Sequence, residues 1–484
     1  MRAKLDELFG ADLRALAVLR IRLALTILVD LVQRSGDLVL HYTDAGLLPR
    51  ADLLRVTGRR TLVSLHLLSG AWPWEALLFV VAGVCAVALL VGYRTRLATV
   101  ASWFLFISLN ARNPLVVLGG DGLLRIVLFW AMFLPLGACY SIDRTARRAP
   151  SPPGPRVLSA ATVAYLVQIV LMYWVTALRK YDPEWRTDGT ALYYALSLDH
   201  LTTPVGHFLL GLPALLKLLT HGVLWLEFIG PILLFSPFLT TPIRSLTILA
   251  FVIFQIGIAL TLRIGLFPWI SVLAMVVFVP SNVWDVVTRR RRPESPVAPP
   301  VASSEDSPLR SRVLGVGVGA LLLYVLVWNV TSLPAAPFRL GESFQRIGYL
   351  LRLDQTWNMF APSPSKDDGW YVIPGRLRDG STVDLFRNGG DVRWDRPASV
   401  AAGFPNSRWR RYMMLLPNHV EYAPPYARYL CRSWNRTHGD GRALEALEIV
   451  FVVERTLPDS RKSAPRRQSV YRHTCGESSS DGRL

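Results

Sequence analysis

Apolar runs alternate with short polar turns along most of the chain, and the pattern changes only in the last third. Stretches at 12–33, 73–92, 97–110, 121–140, 157–180, 221–238, 243–263, 266–284 and 312–332 predict about nine helices. Several of them reach the ~20 apolar residues that cross the hydrocarbon core of a bilayer. The stretch HFLLGLPALLKLLT (207–220) is short and interrupted by Gly211 and Pro213, and reads as a re-entrant or interfacial piece. No short apolar core with a small-residue cleavage site opens the chain, so the first hydrophobic segment is expected to stay as a span.

Beyond the last apolar run the period shortens. GWYVIPGRLRDGSTVDLF (369–386) predicts two strands around the turn Asp379-Gly380, and LEALEIVFVVERT (444–456) predicts a later strand. NSRWRRYMMLL (406–416) and PPYARYLCRSW (424–434) read as helices. The predicted fold class is a polytopic α-helical membrane protein of about nine transmembrane helices with a C-terminal extramembrane α+β domain. Its divisions are a bundle over 1–285, a Pro/Ser-rich disordered cytoplasmic linker over 286–311, a last span at 312–332, the extracytoplasmic domain at 333–457 and a loose polar tail at 458–484.

Composition supports the membrane reading. Only 18% of the 484 residues are charged and 51% are hydrophobic, against roughly 25% charged in soluble domains. A net charge of +18 would suit nucleic acid, but the basic residues fall mostly in short loops and in the C-terminal third. That distribution reads as topology and anionic-lipid contact, so the bilayer is the expected partner and nucleic acid is not. With a cytoplasmic N-terminus, the basic segments MRAK, 93–96, 143–148, the turn at Arg244 and 288–292 all face the cytoplasm. A multi-pass protein of the plasma membrane, with its C-terminal domain outside, satisfies the positive-inside rule. Of 53 basic residues only five are Lys (4, 180, 217, 366, 462), the skew expected of a GC-rich bacterial genome.

Charges inside apolar segments are the candidate chemistry, because each costs about 2.5–3.5 kcal/mol at the bilayer centre. The first segment holds Arg14, Arg20, Arg22 and Asp30; the fourth holds Asp121 and Arg125 four residues apart; Glu227 and Arg263 lie in the sixth and seventh. These groups either line a polar interior or satisfy one another, with Asp121–Arg125 as an intrahelical pair and Arg20 or Arg22 paired to Asp30 or Glu227. His41, Tyr42 and Asp44 lie in a polar loop that explains them without chemistry. Cys85 and Cys139 read as small buried hydrophobes, while Cys431 and Cys475 can pair in an oxidising compartment. No HExxH, Walker A, GxGxxG or CxxC pattern is present, and no metal is expected.

The segment YWVTALRKYDPEW (173–185) ends an apolar run in a charged, aromatic cluster. Lys180 there reads as an interfacial anchor, as part of a salt-bridge knot, or as a base. In a chain that otherwise uses Arg, a retained Lys suits a site where the amine must give up its proton. The run RKYDPEW resembles the vitamin K-dependent gamma-carboxylase family. HYTDAGLLPR, GYRTRLATVASWFLFISLNARNP, GGDGLLRIVLFWAMFLPLG, DGTALYYALS and QTWNMFAPSPSKDDGWYVIPG resemble the HTTM (horizontally transferred transmembrane) branch of that superfamily. The resemblance implies that Lys180 is the base that deprotonates a reduced quinone. The quinol then reacts with O2 to give a stronger base, which abstracts a glutamyl γ-proton before CO2 adds. Arg112, Asp121, Arg125, Trp185 and Glu227 would line the substrate site, and an exported peptide, protein or lipid would be the substrate. The carboxylases also use a histidine in the region matching 110–116, which reads NARNPLV here. The alternative is a non-catalytic maturation or immunity-type protein that handles a secreted partner. A transporter is disfavoured, since Gly/Pro-interrupted helices do not recur in matched halves.

Overall fold

The computed structural model describes residues 2–58, 63–146, 155–288, 308–458 and 461–476. Its bundle is built from Leu13–Ser35 (α1), Trp72–Val91 (α2), Thr95–Arg112 (α3), Gly119–Ala131 (α4), Ala160–Arg179 (α5), Pro213–Leu233 (α6), Thr240–Thr261 (α7), Phe267–Met275 (α8) and Pro308–Thr331 (α9). The first four pack in chain order, α8 closes on α4 and α1, and α5 touches α4, α6 and α9. Among the described residues five helices, α2, α5, α6, α7 and α9, are long and apolar enough to cross a membrane. Phe267–Phe278 with Ser281–Val287, bent by 101°, would make a sixth. The bend falls at Pro280, which cannot continue a helix from the preceding turn. Length and composition thus mark five or six of the nine expected spans; α4, with only 13 residues, and α1, which carries Arg14, Arg20, Arg22, Asp30 and Arg34, are not among them. The apolar window of α5 is 78% buried against 17% for α9, so α5 is the inner helix and α9 lies on the rim.

The stretch 207–220 is not one interfacial piece. Pro204–Leu210 is a short helix, and Pro213 stands at the first turn of α6, where its fixed φ and missing N–H cost nothing. The sixth segment therefore begins eight residues earlier than 221. Residues 289–307, the bulk of the expected linker, lie outside the described residues.

At one end of the bundle, arginines bind carbonyls of turns and helix ends and nearby carboxylates. Arg20 donates to the carbonyls of Leu136 and Cys139 at 3.2 and 3.3 Å, so it is not held by Asp30 or Glu227. Arg244 donates to Leu234 and Leu8 carbonyls at 2.8 and 3.0 Å, and Arg14 pairs with Asp12 and Asp285 at 2.8 Å each.

The C-terminal domain sits at the opposite end. Its spine is Leu444–Arg455 (β4), which pairs antiparallel along one edge with Asp367–Val372 (β1) and Pro374–Leu377 (β2) in tandem. Thr382–Asp384 (β3) extends β2, and Arg466–Thr474 (β5) covers the other edge of β4. Within the expected loose tail, 458–484, residues 466–474 form a strand, and 477–484 lie outside the described residues; alternation in RRQSVYRHT buries Val470 against the sheet, and Cys475 closes a disulfide to Cys431 with Cα atoms 5.7 Å apart. Helix Glu342–Leu351 (α10) precedes the domain beside α9, and helices Ser407–Leu415 (α11) and Ala423–Thr437 (α12) complete it.

Candidate functional site

Helix α5 ends at Lys180, its C-cap, whose N–H reaches the Ala177 carbonyl. Asp182-Pro183 then starts a one-turn helix, Pro183–Arg186, with Pro at its first position. That turn swings Trp185 beneath the lysine, 4.1 Å from Nζ to the ring centroid. Nζ donates to Glu227 Oε2 of α6 at 2.6 Å. Lys180 is 3% exposed, so it is not an anchor reaching for headgroups. Its neighbours in the run are placed elsewhere: Arg179 donates to the Ser332 carbonyl at 2.5 Å, and Asp182 stands at the N-cap of the short helix. Arg186 Nε binds the Lys180 carbonyl at 2.9 Å, and the Trp185 indole donates to the Phe360 carbonyl at 2.9 Å. Both fix the turn.

Two turns before Lys180 on α5, Tyr173 packs on Phe251 and its hydroxyl accepts from Gln255 Nε2 of α7 at 3.2 Å. Gln255 Oε1 is buried and has no hydrogen-bond partner among the described residues. Gln255 is the last residue of the buried stripe Thr240, Arg244, Thr247, Phe251, Gln255 of a helix otherwise mostly exposed.

Of the expected lining residues, Glu227 and Trp185 join Lys180; the other three lie in separate networks. Arg112 is fully buried, donates to the Leu48 carbonyl at 2.8 Å, and lies 3.9 Å from Glu75, whose other oxygen is 2.5 Å from His66 Nδ1. Asp121 accepts from Arg34 at 3.0 Å and from Arg408 of α11 at 2.8 Å, while Arg34 also holds Asp30 at 2.7 Å. Two arginines and two aspartates cancel there, which is how a buried cluster of charges becomes tolerable. Arg125 binds Asp354, 3.3 Å away, instead of forming the intrahelical pair with Asp121. Among the described residues no single polar interior joins these groups.

His41 lies under the C-terminal domain, its ring 5.7 Å from Trp409 and 6.4 Å from Tyr412. Neither ring nitrogen has a hydrogen-bond partner among the described residues. Burial, with Arg408 and Arg34 nearby, holds it neutral by pushing its pKa down to about 3. The segment after α10 enters the bundle as well: Gln355 exchanges amide hydrogen bonds with Gln168 of α5 at 2.9 and 3.0 Å, and Trp130 and Trp357 donate to the same two amides.

Two cavities accompany these networks. One of about 10 Å³, room for a single water, lies between His66, Ser102, Phe79 and Phe106. The other, about 400 Å³, lies where α11 and α12 meet Leu40, between Trp409, Tyr426, Tyr429 and Trp434. Neither is lined by Lys180. The His66–Glu75 pair, Arg408, Asp354 and the Gln168–Gln355 amides escaped the sequence reading; only Gln355 and Trp357 left a trace, inside the stretch QTWN.

The HTTM domain family matches residues 10–284, more than half of the chain. None of the curated proteins and none of the solved structures matches it. The chain belongs to the HTTM family, and is a multi-pass membrane protein of the carboxylase-like group.

Proposed function

We propose that this HTTM-family protein is a quinol-dependent carboxylase or oxidase, with Lys180 as its base, acting on an exported peptide or lipid. The buried Lys180–Glu227 pair carries this reading. At 2.6 Å a proton can pass from the amine to the carboxylate, leaving a neutral amine that accepts a proton from the ligand. Arginine at 180 would bind Glu227 equally well but could not deprotonate. The Trp185 face, 4.1 Å away, then stabilises the re-formed ammonium. The unpartnered Gln255 oxygen and the Tyr173 hydroxyl, two turns from Lys180, would offer polar contacts to a lipid-soluble reduced quinone. With O2, such a group would supply the stronger base that lets CO2 add to the substrate. Lys180 and Glu227 would move the first proton, Trp185 would hold the charge, and the buried surroundings would exclude water.

The same reading takes nine spans, a cytoplasmic N-terminus and an external C-terminal domain in the plasma membrane. The arginine-rich end around Arg14, Arg20 and Arg244 supports it, as does the Cys431–Cys475 disulfide at the opposite end. Labelled CO2 incorporation, or epoxide formation from added quinol, tests the assignment in membranes holding the intact chain. Activity lost in Lys180→Met supports it, and unchanged activity in that variant removes it.

The 400 Å³ aromatic cavity of the C-terminal domain favours a second reading, a non-catalytic maturation or immunity-type protein that handles a secreted partner. Loss of function on deleting 338–484, with Lys180→Arg tolerated, would select that reading.

A further inference from the structure

Helix α10 takes no part in the proposed chemistry. Its sequence ESFQRIGYLL puts Phe344, Ile347, Gly348 and Leu351 at i, i+3, i+4 and i+7, on one apolar stripe. Part of that stripe is used inside the protein. A Cβ on Gly348 would come within 2.6 Å of Trp328 and Tyr324, so glycine is what lets α10 lie against α9. Tyr324 also donates to the Phe344 carbonyl at 2.6 Å. On the stripe Phe344 is 58% and Ile347 44% exposed, and beside it Leu350 is 64% exposed. Glu342 and Arg346 pair at 3.3 Å and are both well exposed, which makes the helix amphipathic on its outer side.

Two tethers fix its height. Tyr324 and Trp328 lie seven and three residues before the last residue of α9. At 1.5 Å per residue, α10 therefore contacts that helix up to about 10 Å below its end. On the other side, Leu351 is three residues from Asp354, a reach of at most ~11 Å. Asp354 binds Arg125 of α4, and Gln355 binds Gln168 midway along α5. Both ends of α10 are thus held against the crossing helices, before the sheet begins at Asp367. Around the same helix, Leu323 and Val330 of α9 are also exposed.

We propose that α10 is embedded in the leaflet on the side of the C-terminal domain, with Phe344, Ile347 and Leu350 against acyl chains and Glu342 and Arg346 toward the headgroups. Its depth, beside Tyr324 and Trp328 of α9 and one short segment from Gln168 of α5, selects hydrocarbon, rather than a second copy of the chain, as the occupant. The membrane-held helix lies just ahead of the segment whose Phe360 carbonyl receives the Trp185 indole.

The test labels single cysteines with an NBD fluorophore, in full-length protein lacking Cys85 and Cys139, in phosphatidylcholine vesicles. Expected is blue-shifted emission at Phe344→Cys and Leu350→Cys, quenched by doxyl-labelled lipid and shielded from aqueous iodide. Arg346→Cys and the domain-surface control Asp391→Cys should show the reverse. Iodide quenching at 344 and 350 equal to that at 391 overturns the proposal. So does shielding without doxyl quenching, which would mean a second copy or the protein itself covers the face. Should Phe344→Cys misfold, Ile347→Cys gives the same readout.

Discussion

Removing only one member of the Lys180–Glu227 pair is predicted to cost more stability than removing both. The two charges sit 2.6 Å apart with 4% of each side chain exposed. Coulomb attraction at that distance is about 6 kcal/mol at an effective dielectric constant near 20. Desolvation of both groups offsets most of it, yet a lone survivor keeps its desolvation cost without the attraction. Lys180→Met should therefore destabilise by about 3–5 kcal/mol. Lys180→Met/Glu227→Leu, which fills the same space with apolar groups, should return to within ~1 kcal/mol of the parent or exceed it. Denaturant unfolding of the purified protein in one detergent, followed by tryptophan fluorescence, compares the three. A single variant as stable as the parent would refute the buried-pair reasoning, and so would a double variant as unstable as the single. The double variant also supplies a folded, amine-free control for activity.

Other outcomes follow from the networks around the site. Arg408→Ala leaves Asp30 and Asp121 with one arginine between them and should loosen the C-terminal domain by about 3–5 kcal/mol, read as faster limited proteolysis after residue 338. His41 is neutral when covered, with a pKa of about 3 against 6.5 when free, so cover by the domain is fully stabilising above pH 6.5. Between pH 6.5 and 3 that stability should fall by ~1.4 kcal/mol per pH unit, and His41→Phe should flatten the profile in a pH series of melting temperatures. Cys431→Ser opens a loop of sequence separation 44 and should cost the domain about 2–4 kcal/mol, measured by hydrogen exchange in β5.

How much of this was legible in the sequence depends on the range of each interaction. Apolar length marked the crossing helices, and Asp379-Gly380 marked the hairpin between β2 and β3, because both signals are local. Lys180 and Trp185 stood out together because they share one short run. Pairing was not legible: Arg408 meets Asp30 across 378 positions, and Asp354 meets Arg125 across 229. Helical spacing favoured the intrahelical Asp121–Arg125 pair, but Arg34 and Arg408 compete for the aspartate and win by enclosing it on two sides. Pro213 read as an interruption because proline breaks helices internally; its place in the first turn of α6 reverses that meaning. The strand at 466–474 looked loose because it is polar, yet it lies on an edge of the sheet, where only alternate side chains need burial.

The amine at 180 is tested most directly by oxygen uptake with a soluble-chain quinol, in nanodiscs holding wild-type protein, Lys180→Met or Lys180→Met/Glu227→Leu. The account predicts uptake that depends on both protein and quinol in the wild type, and its loss in the folded double variant as well as in the single. Uptake in the double variant equal to wild type would contradict it.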